Sequence, residues 1–183
     1  MHHSLLAIAV LLLAGCAARE AAPSPSSDPV STPAPVVDQA PTLNMTQLDA
    51  LAGTRWTGTN ELWLDPLGNT ALTSDATMSI EKDKITYTWE YQSKPQSGTI
   101  TFGDTVHWHD TFHMPDGTDC APVAGAWGLW QGFFEWSMGG GPNWGWRIGL
   151  FEREGDALVM QMTVIKPSGE EGRAVRMTLT KQP

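Results

Sequence analysis

Three histidines spaced as His107-x-His109-x3-His113, with Asp110 between them, are the residues of this chain whose types and spacing come nearest to chemistry. On a strand, His-x-His puts two imidazoles on one face, as several metal sites do. Parity opposes that arrangement here. Val106, Trp108 and Phe112 make the apolar face, so a regular strand turns His107, His109 and His113 outward together with Thr111. Asp110 is then carried inward between Trp108 and Phe112. A buried ionised carboxylate needs a partner. Asn60, Tyr87 or a ligand would serve, and without one the carboxyl keeps its proton at a raised pKa. Asp110 is thus either a satisfied core carboxylate tying two strands or, with Asn60, the polar end of a cavity. An acid/base pair Asp110-x-x-His113, or a metal or haem site using the same two residues, requires a bulge that brings both side chains to one face.

Other catalytic patterns are missing from the sequence. There is no Ser/His/Asp nucleophile signature, and Gly139-Gly140-Gly141-Pro142 lacks the Lys-Ser/Thr of a phosphate loop, so it reads as a hairpin. No cofactor is expected. Cys120 has neither a neighbouring cysteine nor nearby basic residues to lower its pKa, which marks it as a buried structural thiol. The net charge of −9 argues against nucleic acid or an anionic membrane surface as a direct partner, since both demand basic patches.

Tryptophan is the compositional oddity, with 9 in the chain, all after residue 50. They either fill a wide barrel or line a partly hollow one for an apolar or aromatic ligand. For the second case the candidate ligand-binding set is Trp56, Asn60, Tyr87, Trp89, Trp108, Asp110, Trp144 and Trp146. The stretch 127–136 is apolar on both faces, so one face is expected to leave the barrel exposing Trp130, Phe134 and Trp136. Such a patch would dock a partner, a second copy of the chain or a membrane.

The elements that must position these residues are strands. Turn signals recur, among them Asp65-Pro66-Leu67-Gly68-Asn69, Lys82-Asp83-Lys84, Gly103-Asp104, Pro115-Asp116-Gly117 and Glu154-Gly155-Asp156. Between them the period is two. Leu72, Ala76, Met78 and Ile80 oppose polar neighbours, as do Ile85, Tyr87, Trp89 and Tyr91, then Leu158, Met160, Met162 and Val164, then Val175, Met177 and Leu179. About nine or ten strands joined by hairpins predict an all-β, antiparallel up-and-down barrel, because closure removes the edges of a meander. One short N-terminal helix is expected from Met45, Leu48 and Leu51, stopped by Gly53.

Ahead of this domain, Leu13-Ala14-Gly15-Cys16 follows the apolar run 5–13, which is too short to cross a bilayer of about 30 Å. The pattern resembles a bacterial lipoprotein signal, which implies removal of residues 1–15 and acylation of Cys16 with diacylglycerol and an amide-linked chain such as palmitate. Each buried methylene then contributes roughly 0.8 kcal/mol of anchoring. Ala17, rather than Asp, after the cysteine implies the outer membrane, facing the periplasm. The Pro/Ser/Ala-rich segment 16–42 cannot bury enough surface to fold and reads as a tether. The globular domain is therefore assigned to 43–183.

Within that domain, Trp56-Thr57-Gly58-Thr59-Asn60, Tyr87-Thr88-Trp89, Lys94-Pro95-Gln96-Ser97-Gly98 and Trp108-His109-Asp110-Thr111-Phe112-His113-Met114 look like successive landmarks, and Gly141-Pro142-Asn143-Trp144-Gly145-Trp146-Arg147-Ile148 is the most specific of them. Over residues 51–181 they resemble the bacterial family called domain of unknown function 1579. The resemblance implies a calycin-like barrel, related to lipocalins and fatty-acid-binding proteins, and implies a fold more firmly than an activity. Calycins carry Gly-x-Trp on the first strand, whereas Gly53-Thr54-Arg55-Trp56 is one residue longer. They also often stack a late-strand arginine on that tryptophan, which here implies Arg176 on Trp56, worth roughly 0.5–2 kcal/mol.

These readings converge on an uncharacterised envelope lipoprotein whose barrel binds a small hydrophobic or aromatic ligand, without catalysis. The alternatives are an interaction module docking through strand 127–136, and a metal- or haem-binding protein or enzyme using Asp110 and His113.

Overall fold

The computed structural model describes residues 48–65, 67–123, 128–137 and 140–183. The expected signal, Cys16, the tether, Met45 and Trp127 lie outside these residues. Ten strands follow in order: β1 (Thr54–Leu62), β2 (Leu72–Ile80), β3 (Lys84–Tyr91), β4 (Lys94–Phe102), β5 (Val106–Asp110), β6 (Met114–Pro122), β7 (Trp130–Ser137), β8 (Asn143–Arg153), β9 (Ala157–Ile165) and β10 (Glu171–Lys181). Each pairs antiparallel with its neighbour in sequence, and β10 closes on β1 to complete an up-and-down barrel.

Alternation of side chains is what makes these segments strands with one buried face. In β9, Leu158, Met160, Met162 and Val164 are buried while Val159, Gln161 and Thr163 are not. In β3, Ile85, Tyr87 and Trp89 point to the interior between threonines. The β3–β4 hairpin is held by two residues, Gln92 and Ser93, both at positive φ (52° and 58°), the backbone twist that a two-residue turn demands. In β10 the register shifts between Arg173 and Val175, and this bulge buries Ala174 and Val175 side by side.

The core is the barrel interior, filled across its middle by Trp56, Tyr87, Trp108, Ile148, Met160 and Met177. Cys120 is a free thiol, buried on the inner face of β6; burial, reinforced by the negative charge of Asp119, pushes it up to about 12. That value leaves almost no thiolate at neutral pH.

The expected N-terminal helix lies partly outside the described residues; within them Leu48 and Asp49 are helical and pass into turns, with Leu51 N–H and Ala52 N–H bonding back three residues to Leu48 and Asp49. Several other expectations are corrected. Leu72 and Phe112 are exposed instead of inward, because Leu72 starts its strand at the barrel rim and Phe112 falls in a turn. Within 128–136, Trp130, Phe134 and Trp136 do not form an outward patch. Trp130 and Phe134 are buried, and the outward positions of β7 are Gln131, Phe133 and Glu135, since the inward face of this strand continues that of β8. Arg176 does not stack on Trp56. It sits on the outer face, where Nε and Nη2 each donate to Gln161 Oε1 at 3.1 Å, while buried Trp56 donates its Nε1–H to Thr54 Oγ1 at 2.8 Å. An arginine–tryptophan contact does occur elsewhere, with Arg173 over Trp63 at 5.1 Å.

Candidate functional site

Tyr87 on β3, Gly98 on β4 and Asp110 on β5 stand in one cross-strand row. A Cβ at Gly98 would fall within the Tyr87 ring and hydroxyl, so glycine is what allows the phenol to lie across β4 and reach the next strand but one. The Tyr87 hydroxyl accepts from Trp108 Nε1–H at 2.8 Å and donates to Asp110 Oδ2 at 2.8 Å. Each polar atom of this buried chain therefore meets its complement.

The other oxygen of Asp110 organises a turn. The register shifts between Trp108 and Asp110, Asp110 pairs with Met114, and residues 111–113 form the loop between β5 and β6. Oδ1 accepts the backbone N–H groups of Phe112 at 3.0 Å and His113 at 2.9 Å, the local bonding for which aspartate is favoured at turns. It also contacts His113 Nδ1 at 3.0 Å. Burial pushes the Asp110 carboxyl up, but the His113 ring as hydrogen-bond donor and as charge, its backbone N–H and the Tyr87 hydroxyl together outweigh burial and hold it below the usual carboxylate value. The Tyr87 hydroxyl is raised well above its ordinary value by burial and by the adjacent Asp110 charge, so it keeps its proton and donates. With Asp110 ionised and able only to accept, Nδ1 of His113 carries the hydrogen. In the neutral ring the lone pair is then on Nε2.

The tight turn also decides where His113 points. Parity on a regular strand places it outward, but the loop folds it back so that its ring packs on Trp89 (5.7 Å between centroids, planes at 27°) and on Trp146 (5.3 Å, 47°). His107 and His109 remain on the outer face, where His107 Nδ1 contacts Asp119 Oδ1 at 2.9 Å. The three histidines do not share a face. Among the described residues no group of three His, Cys, Asp or Glu side chains is placed to hold a metal ion.

Beside this network lies a pocket of about 170 Å³ lined by Trp108, His113, Met114, Phe134, Trp136 and Trp146. It sits between the start of β6 and the end of β7. Those two strands register only at Ala121 opposite Phe133 and Pro122 opposite Gly132, at the far end of the pair. Its walls are flat: Trp108 and Trp146 are stacked 5.9 Å apart at 19°, and Trp136 meets Trp146 edge to face at 6.1 Å and 70°. His113 is the one lining side chain with a hydrogen-bonding nitrogen beyond the indoles, and its Nε2 has no protein partner among the described residues.

Of the residues singled out from the sequence, the structure brings Trp89, Trp108, Asp110, Tyr87 and Trp146 together. Trp108 and Trp146 line the pocket, Tyr87 and Asp110 lie behind it, and Trp89 backs His113. Trp144 is half-buried against Trp136. Trp56 is packed in the core by its own hydrogen bond to Thr54. Asn60 lies opposite Ser74 and Met177, and neither its side-chain nitrogen nor its oxygen hydrogen-bonds to the protein, so the expected Asn60–Asp110 polar end is replaced by Tyr87–Asp110–His113. Met114 escaped sequence reasoning; His113 entered it only as a partner of Asp110 that required a bulge, and Phe134 and Trp136 were expected on the outer face, because strict alternation does not hold across a three-residue loop or choose the inner face of β7. The Asp-x-x-His spacing at a turn was the signal available.

No family model matches the chain, and no curated protein matches it.

Proposed function

We propose that this chain is an envelope lipoprotein, anchored through Cys16 to the outer membrane and facing the periplasm, whose calycin-like barrel binds a small hydrophobic or aromatic molecule without transforming it. The observation that carries the ligand reading is the aromatic pocket into which a tethered histidine presents a free acceptor: apolar walls with one or two placed polar groups are the usual make-up of a small-molecule site. The pocket beside β6 and β7 is favoured as the ligand site because its walls are aromatic and His113 lines it. Support for the anchor comes from the Leu-Ala-Gly-Cys pattern alone.

Native mass spectrometry of the protein released gently from membranes tests the ligand reading. The expected result is a co-purifying mass that disappears on denaturation and is absent from Trp146→Ala. A ligand-free protein across varied growth conditions overturns it. Intact mass of the mature chain tests the anchor, which predicts loss of residues 1–15 and a gain of acyl mass that Cys16→Ser abolishes.

The Asp110–His113 dyad favours a second reading, in which Nε2 removes a proton from a bound hydroxyl as a general base. Turnover of a bound molecule, lost in His113→Gln while binding persists, would select it.

A further inference from the structure

We infer that the pocket selects a single-ring aromatic molecule that carries one hydrogen-bond donor and no negative charge, the chemistry of a simple phenol, with the donor resting on His113 Nε2. This rests on the ligand-binding reading above and narrows it to a chemical class.

Size comes first. A pocket of about 170 Å³ takes one ring and its substituent, since a benzene ring fits a cavity of about 150 Å³ and drug-sized ligands need about 300 Å³ or more. Shape follows from the walls. Trp108, Trp146, Trp136 and Phe134 contact one another in stacked, edge-on and tilted arrangements at 5.5–6.1 Å, leaving planar surfaces on which a flat ring gains offset or T-shaped contact that a puckered ring does not.

Polarity is set by His113 Nε2, and the lining's Trp146 Nε1–H, buried without a hydrogen-bond partner among the described residues, is a second polar atom. Asp110 holds Nδ1–H at 3.0 Å and is itself held by Tyr87 and two backbone N–H groups. A ring flip would cost Asp110 Oδ1 its side-chain donor, so in the neutral ring Nε2 is the acceptor, on the side away from Nδ1. A ligand donor satisfies it, and a hydroxyl, which both donates and accepts, also complements an indole N–H of the lining. Charge excludes acids. Among the described residues no lysine or arginine lines the pocket, and the Asp110 carboxylate stands directly behind His113, so a ligand carboxylate would be desolvated beside a negative charge already using the imidazole.

The test is a titration of the full chain with four probes, phenol, toluene, benzoate and cyclohexanol, followed by calorimetry and by the imidazole proton signals of His113. Phenol is expected to bind about tenfold more tightly than toluene, the effect of one added hydrogen bond to a buried acceptor. It should also exceed benzoate and cyclohexanol and shift the His113 signals. In His113→Phe the phenol and toluene affinities should converge. Should that variant fail to fold, the wild-type ranking and the His113 shifts decide alone. Toluene binding as well as phenol, or benzoate binding as tightly, overturns this inference and leaves the ligand-binding reading standing. If none of the four binds, both fall.

Discussion

The barrel has two walls built on different principles. One, from β3 to β5 with β7 and the start of β8, presents Tyr87, Trp89, Trp108, Phe134 and Trp146. The other, β9 and β10, presents Leu158, Met160, Met162, Val164, Val175, Met177 and Leu179. Aromatic rings carry polar handles that must be matched when buried. On the first wall Trp108, Tyr87, Asp110 and His113 satisfy one another in a single relay that fixes those four side chains, while the buried Nε1 of Trp146 has no hydrogen-bond partner among the described residues. The aliphatic wall has no such obligation. It is closed by unbranched methionines that adapt to the space offered, and its one polar neighbour, Asn60 opposite Met177, has no protein partner. Precise placement is concentrated where the pocket is, and plasticity lies across the barrel from it.

Substituting Gly98 by alanine should break this contrast most severely. The new methyl group would displace Tyr87, an overpacking cost of about 1–3 kcal/mol. It would also strip Asp110 and Trp108 of a shared partner, about 1–3 kcal/mol more for buried groups left unmade. Denaturant titration should register a loss of about 2–6 kcal/mol; a loss below about 1 kcal/mol would show that the relay is not held by this glycine.

Acid should act next, and on the aromatic wall alone. The Asp110 carboxyl is held below its ordinary value of 3.8 in the folded chain. It therefore contributes stability that is fully present above that value and is lost as pH falls through the lower folded value. Equilibrium unfolding of the wild type should show that loss below about pH 4, and Asp110→Asn should flatten it. If the two slopes coincide below that pH, the carboxylate is not the linked group.

A gain is expected from Asn60→Leu. Removing an amide that is buried without a protein partner, in favour of an aliphatic side chain of similar size, should stabilise by about 1 kcal/mol. A thermal shift upward supports the account of this wall as purely apolar packing; destabilisation would mean that Asn60 has a structural partner. The smallest effect belongs to Met160→Leu, a volume-conserving change within the adaptable wall that should cost less than about 1.5 kcal/mol. The equivalent change on the other wall, Trp108→Leu, should cost clearly more, because it also removes the Nε1–H donor to Tyr87.

Much of this was legible beforehand, and the exceptions share a cause. Alternation over 157–165 and 84–91 identifies inward residues directly, because a side-chain period of two is a local property of an extended backbone. The same rule places Asp110 inward between aromatics, and the cost of a buried carboxylate then requires a partner, which Tyr87 is. Alternation fails at residues 111–113, where a loop of three replaces the strand and His113 returns to the interior. It fails also at β7, where both faces are apolar and only pairing with β8 decides which one is inside. Asn60 and Tyr87 were equal candidates for Asp110 because a sequence does not say which strands lie side by side.

By itself, then, the chain determines the parts that depend on neighbouring residues: strands with one buried face, short turns between them, a barrel to remove the edges, and an inward carboxylate in need of donors. Tertiary structure alone decides the relay and the pocket. Tyr87 meets Asp110 because β3, β4 and β5 register so that glycine stands between them, and Trp108, Phe134 and Trp146 become one surface because β5, β7 and β8 converge on it. Those contacts join residues 12 or more positions apart, and their pairing is set by the closure of the whole barrel, which no local periodicity encodes.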